Sequence, residues 1–170
     1  MKIRRGFVAN SSSSSFVVAF PKGFIPTLKN VQDYLFGPTP IIWEGNEVSK
    51  VTTTEAATRI YEDMRGQTPN DQALIMETLE NGYVYGGVDY QQYVKADRRT
   101  EPELYEAQKE AFAAVEAAWR RAWIKTQMTK MPFAQFDLYV FEYEDHERVS
   151  AALERTNVFG ATPYAKVSNH

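Results

Sequence analysis

The residues best suited to chemistry lie in a serine-rich segment near the start of the chain. Arg4, Arg5 and Asn10 precede an uninterrupted run of hydroxyl side chains, which consists of Ser11, Ser12, Ser13, Ser14 and Ser15. Successive backbone N–H groups and hydroxyls could cradle a phosphate, with the arginines supplying charge-assisted hydrogen bonds. Serines are also phosphorylation acceptors. A structural role is the third interpretation, because serine hydroxyls readily bond neighbouring backbone.

A serine nucleophile would need a histidine base, and the chain has two histidines, His146 and His170. His170 could serve as that base, with Glu142, Glu144 or Asp145 orienting it. The sequence has no Gly-x-Ser-x-Gly nucleophile elbow, and a terminal histidine is poorly fixed for catalysis. We therefore predict no catalytic residue and group His170 with the serine-rich segment as a candidate ligand-binding residue.

The composition gives little support for a metal or a cofactor. The chain has no cysteine, which excludes thiolate sites, iron–sulfur clusters and disulfides. The densest group of acidic residues comprises Glu142, Glu144, Asp145 and Glu147. Because this group lacks the spacing of a calcium-binding loop, it is typical of a solvated strand end. We expect no metal and no cofactor.

A second candidate site is a segment rich in aromatic residues. It contains Tyr83, Tyr85, Tyr90 and Tyr93, and Trp43 could join it. Tyrosine is favoured at protein interfaces because it combines a large ring with a polar tip. The alternative is that these rings pack over a neighbouring long helix. The sequence leaves both interpretations open.

The overall composition indicates a single globular domain covering residues 1–170. The hydrophobic fraction is 44% and the net charge is −3. A chain of this length can bury a sizeable core, and a slightly acidic surface disfavours nucleic acid and anionic membranes as partners. No apolar run is long enough for a membrane span. The absence of cysteine fits a cytosolic protein.

The pattern of apolar residues predicts an α+β fold. Three segments read as strands, namely 16–20, 135–143 and 164–167. We expect them to form a small mixed or antiparallel sheet joining the N- and C-terminal strands, with the helices between Thr27 and Met131 packed on one face. This arrangement would place the serine run beside Ser168, Asn169 and His170.

Residues typical of helix N-termini locate the starts of three helices. Thr52 with Glu55, and Thr100 with Glu103, have the spacing of capping boxes. Thr68-Pro69 predicts another helix start. In the helix predicted from Thr68, we expect Leu74, Ile75 and Leu79 to face inward. In the helix predicted from Thr100, we expect the inward-facing residues to be Phe112, Val115, Trp119 and Trp123.

The N-terminal segment resembles a signature found at the start of many small proteins of tailed bacteriophages. The signature has basic residues, Gly-Phe-Val, a small residue, Asn, a serine run and an apolar strand, which correspond here to residues 4–20. The Ser-x-His ending, residues 168–170, is similar as well, whereas Ala9 stands where a serine is expected. The resemblance implies a viral origin and an accessory role in the infected bacterium, and it implies no reaction.

Two main hypotheses of function follow. The first is a non-enzymatic module that binds a host or viral protein in the host bacterial cytoplasm. The second is a protein or enzyme that uses the serine-rich segment to bind a small ligand, such as a phosphate or nucleotide. A component of the virion is a further alternative. The sequence does not indicate the oligomeric state.

Overall fold

The fold is built on a three-stranded antiparallel sheet whose central strand is the serine-containing one. A computed structural model describes residues 13–38, 41–44 (backbone only), 50–144, 147–155, 158–160 and 162–169. The strands are β1 (Ser13–Pro21), β2 (Ile41–Glu44), β3 (Lys50–Thr52), β4 (Phe136–Glu144) and β5 (Tyr164–Ser168). The helices are α1 (Leu28–Leu35), α2 (Thr53–Met64), α3 (Gln72–Asn81), α4 (Tyr90–Tyr93), α5 (Pro102–Lys130) and α6 (Arg148–Arg155).

The sheet has the strand order β4-β1-β5, so the N-terminal strand lies between two strands from the C-terminal part of the chain. Both pairings are antiparallel, and Phe16 lies opposite Phe141 on one side and Lys166 on the other. The second sheet is the small antiparallel pair β2–β3. The predicted α+β class and the sheet that joins the two terminal strands are confirmed.

Successive residues of β1 point to opposite faces, and both faces are buried. On one face Phe16, Val18 and Phe20 pack with apolar residues of α1, α2 and α6, which gives the helical cover that the sequence predicts. On the other face Val17 and Ala19 pack against α3 and the C-terminal part of α5. This second helical layer is additional to the helices that the sequence predicted on one face of the sheet. Because helices cover both faces of β1, its middle residues are all apolar.

The helix starts agree with the capping pattern in one case and differ in two. Thr52 and Glu55 form the predicted capping box at the start of α2. The helix predicted from Thr68 begins instead at Gln72, capped by Asp71, because Asn70 bonds the edge of β4. The Asn70 N–H donates to the Leu138 carbonyl at 2.8 Å, and its side-chain oxygen accepts from the Val140 N–H.

The predicted capping box at Thr100 and Glu103 is wrong. The N-cap of α5 is Glu101, without a side-chain cap hydrogen bond, and Pro102 occupies the first helical turn. Proline has no N–H to satisfy, so it fits the first position of a helix and fixes the start there. The preceding turn is closed by Asp97, whose carbonyl accepts from the Glu101 N–H at 2.8 Å.

Two residues predicted to face the core are exposed. Leu74 is 39% exposed and Val115 is 36% exposed, whereas Ile75 and Leu79 are buried. Phe112, Trp119 and Trp123 are half-buried. Val115 lies in the first half of α5, whereas the buried residues of this helix, Ile124 and Gln127, both lie in its second half.

We predict that Gly82→Ala lowers the free energy of unfolding by about 1–3 kcal/mol, the usual cost of overpacking. The backbone of Gly82 suits any residue, with φ −82° and ψ 155°. A Cβ there would lie 2.5 Å from Cγ2 of Val167, and closer still to its Cβ. Urea denaturation would measure the loss. Asn81→Ala, at an exposed neighbouring position, is the control and should change stability little; equal effects of the two would contradict the steric explanation.

Candidate functional site

The serine end of the sheet is a polar cluster assembled from both ends of the chain. Ser13 and Ser15 lie in β1 on the face covered by α3 and α5. The side-chain amide of Asn169 donates to Oγ of Ser15 at 2.9 Å and contacts Oγ of Ser13 at 3.4 Å. The same amide reaches Oε1 of Glu142 at 3.3 Å. The expected proximity of the serine run and residues 168–170 is thus confirmed for the described residues.

Ser14 points to the opposite face and is fully buried. Its hydroxyl donates to Oε1 of Glu154 at 2.8 Å, and Nζ of Lys166 donates to the Glu154 carbonyl at 2.5 Å. The ammonium of Lys166 also lies 3.5 Å from Oε1 of Glu154 and 5.3 Å from the centre of the Phe16 ring. Ser14, Glu154 and Lys166 therefore form a hydrogen-bonded group between α6, β1 and β5.

Two further buried hydroxyls flank Ser14 in the sheet, on Tyr143 of β4 and Ser168 of β5. Neither makes a hydrogen bond of standard geometry in the described part of the structure. Burial and the nearby Asp63 carboxylate raise the pKa of Tyr143 well above its usual value. Burial likewise raises the pKa of Asp63, against the opposing effect of Arg59, which bonds Asp63 at 3.1 Å. These groups keep the end of the sheet polar while leaving little of it in water.

The contacts of Ser13, Ser14 and Ser15 support the structural interpretation of these three serines. Their hydroxyls are buried and already hydrogen-bonded inside the protein, so a ligand would have to displace Asn169 or Glu154. The other residues predicted for this site lie outside the described part of the chain; they are Arg4, Arg5, Asn10, Ser11, Ser12 and His170. His146 and Asp145 also lie outside it.

A cavity of about 560 Å³ opens beside this cluster, lined by Arg59, Glu142, Glu144, Glu147 and Ser150. Its size suits a small ligand. The lining has three carboxylates and one guanidinium, which is already engaged by Asp63 and lies 3.5 Å from Glu147. Like charges would repel a phosphate here, so the cavity does not provide the anion site that the serine pattern suggested.

The structure divides the aromatic segment into two parts. Tyr90 and Tyr93 pack on Phe112 of α5, as the packing interpretation predicts. Their ring centres lie 5.0 Å and 6.0 Å, respectively, from the centre of the Phe112 ring. Tyr83 and Tyr85 instead project, 52% and 67% exposed. Their rings meet edge to face with centres 5.3 Å apart.

The segment that carries Tyr83 and Tyr85 contacts the rest of the protein at Tyr83 and at Gly87. Tyr83 and Ser168 exchange two hydrogen bonds of 2.7 Å, which fastens the segment to β5. Gly86 takes a left-handed backbone, φ 79°, and Gly87 packs on the indole of Trp119. For Trp43, the structure describes only its place in β2.

The sequence indicated the serines and tyrosines of these sites and placed Asn169 beside the serine run, but it did not indicate Glu154 or Lys166. These two residues carry no motif, and only the folding of α6 and β5 against β1 brings them to Ser14. The alternation of side chains along β5 could have indicated Lys166, because Lys166 and Ser168 lie on the same face of the sheet as Phe16 and Ser14.

No group of three or more His, Cys, Asp or Glu side chains in the described part of the chain is arranged to hold a metal ion. None of the described helices is long and apolar enough to cross a membrane. Comparison with protein-family models, curated proteins and solved structures gives no match.

We predict that Ser14→Ala lowers the free energy of unfolding by about 1.5–3 kcal/mol, since it removes a buried hydrogen bond to a carboxylate. Ser15→Ala is the matched control because its hydroxyl meets only the neutral amide of Asn169 among the described residues, and we expect a loss of about 1 kcal/mol. Denaturant titrations of both variants would measure the difference. A larger loss for Ser15→Ala would show that the Glu154 contact is not the important one.

Proposed function

We propose that this protein is a bacteriophage-encoded accessory module that binds a host or viral protein in the cytoplasm of the infected bacterium, rather than an enzyme. The viral origin rests on the resemblance of residues 4–20 to the phage signature. The binding role rests on one structural observation, the exposed and rigidly held pair Tyr83 and Tyr85.

This pair has the properties of an interface anchor. Binding energy at protein interfaces is concentrated in a few large side chains, and tyrosine is among the commonest. Because the backbone of Tyr83 is bonded to Ser168 and Gly87 lies against Trp119, little conformational freedom would be lost on binding.

The geometry offers less support for the alternative of a phosphate or nucleotide site. The described serines are bonded internally, and the adjacent cavity is lined mainly by carboxylates. That alternative depends on the predicted site residues outside the described part of the chain, which are Arg4, Arg5, Asn10, Ser11, Ser12 and His170. A role as a virion component depends on the resemblance alone.

We predict that Tyr83→Ser/Tyr85→Ser abolishes or weakens partner binding at least about tenfold without unfolding the protein. The partner would first be isolated with the wild-type protein from bacteria under gentle conditions and identified by mass spectrometry. Its dissociation constant would then be measured with purified components. Ile25→Ser removes another exposed apolar side chain, 70% exposed, and serves as the matched control.

Equal affinity of the tyrosine variant and the wild type would remove this pair from the interface. Recovery of a small molecule with the wild-type protein, in place of a protein, would favour the ligand-binding alternative.

A further inference from the structure

The first half of α5 presents a helix face that the rest of the described protein leaves uncovered. One face of this helix is used internally, where Phe112 receives Tyr90 and Tyr93 and the side-chain oxygen of Gln108 accepts the N–H groups of Lys95 and Ala96. Beside it runs a straight apolar line at one residue per turn, composed of Leu104, Ala107, Ala111, Val115, Ala118 and Ala122.

All six residues of this line are exposed, with Leu104 at 48% and Val115 at 36%. In an amphipathic helix an apolar line of this kind normally faces a partner. The alanines would allow a second helix to approach closely, at the short end of the usual interaxial distance of about 8–10 Å.

The charges along α5 identify the partner that fits this face. From Pro102 to Glu116 the helix carries four glutamates and one lysine. From Ala117 to Lys130 it carries four basic residues and no acidic one. A second α5 lying antiparallel would place each acidic half beside a basic half, whereas a parallel α5 would place like charges together.

We propose that the partner is a second copy of this chain, whose α5 packs antiparallel on the exposed apolar line. The line runs from Leu104 to Ala122. Two antiparallel copies of it overlap over their full length when the two-fold axis passes position 113. In that register Leu104 of one copy faces Ala122 of the other, and Ala111 faces Val115. Each of these two pairs therefore combines a large residue with a small one. This inference concerns a surface other than Tyr83 and Tyr85 and does not depend on the proposed function.

The same register places Glu103 close to Arg121 of the other copy, twice by symmetry. Both residues lie on one flank of the line and are exposed. Neither forms an ion pair within the described part of the chain, in contrast to Glu106 with Lys109 and Glu116 with Arg120. They are therefore available for contacts between copies.

A charge swap tests the proposal. We expect the wild type to sediment as a dimer in analytical ultracentrifugation, and Glu103→Arg or Arg121→Glu alone to weaken dimerisation about tenfold. The double variant should recover an affinity within about threefold of the wild type, because the opposite charges are restored. Glu77→Arg makes the same charge change on an exposed position of α3 and should leave the dimer intact.

Cysteine cross-linking tests the relative orientation of the two α5 helices. The chain has no natural cysteine, so any disulfide must involve the introduced residues. In the antiparallel pair, Leu104→Cys mixed with Ala122→Cys should form a disulfide dimer. Either variant alone should not, since like positions are about 27 Å apart along the axis. A wild type that is monomeric at every accessible concentration overturns the proposal. So does self-cross-linking of Leu104→Cys, or a different protein whose binding is lost in Glu103→Arg.

Discussion

The double pairing of β1 is the constraint on which the rest of the structure depends. This strand is bonded to β4 and β5 at its two edges, and its middle residues are buried on both faces. Each face needs its own helical cover, so α1, α2 and α6 are required on one side and α3 and α5 on the other. Because β1 pairs with strands from the far end of the chain, its partners become available only through very long loop closures, which are typical of slow folding.

The serines continue this strand past the end of its apolar cover. Ser14 meets Glu154 of α6, while Ser13 and Ser15 meet Asn169, so each hydroxyl is satisfied on the face to which it points. Three serines in succession are suited to this place because they are small enough for a buried strand and can bond on either face. The run that looked most like a ligand site is, in its described part, an ordered piece of the sheet.

Local patterns predicted the three main strands, the capping box of α2 and the sheet that joins the N- and C-terminal strands. These features depend on residues close in sequence or on strict alternation. The start of α3 was missed because Asn70 is recruited by the edge of β4, which no local pattern reveals. The partners of Ser14 were missed for the same reason. Helical periodicity placed Val115 in the core, but it does not show that only the second half of α5 contains buried residues. The roles of Arg4, Arg5, Asn10, Ser11, Ser12 and His170 remain predictions.

Among the described strands, β1 is hydrogen-bonded at both edges, and the two proposed binding surfaces lie away from it, on the Tyr83–Tyr85 pair and the outer face of α5. Native-state hydrogen exchange measured residue by residue tests this most directly. The amides of residues 15–18 should exchange only through global unfolding, with the same free energy as that obtained from denaturant titration, whereas those of α4 should exchange through local opening. Exchange of the β1 amides as fast as those of α4 would contradict the central position of this strand.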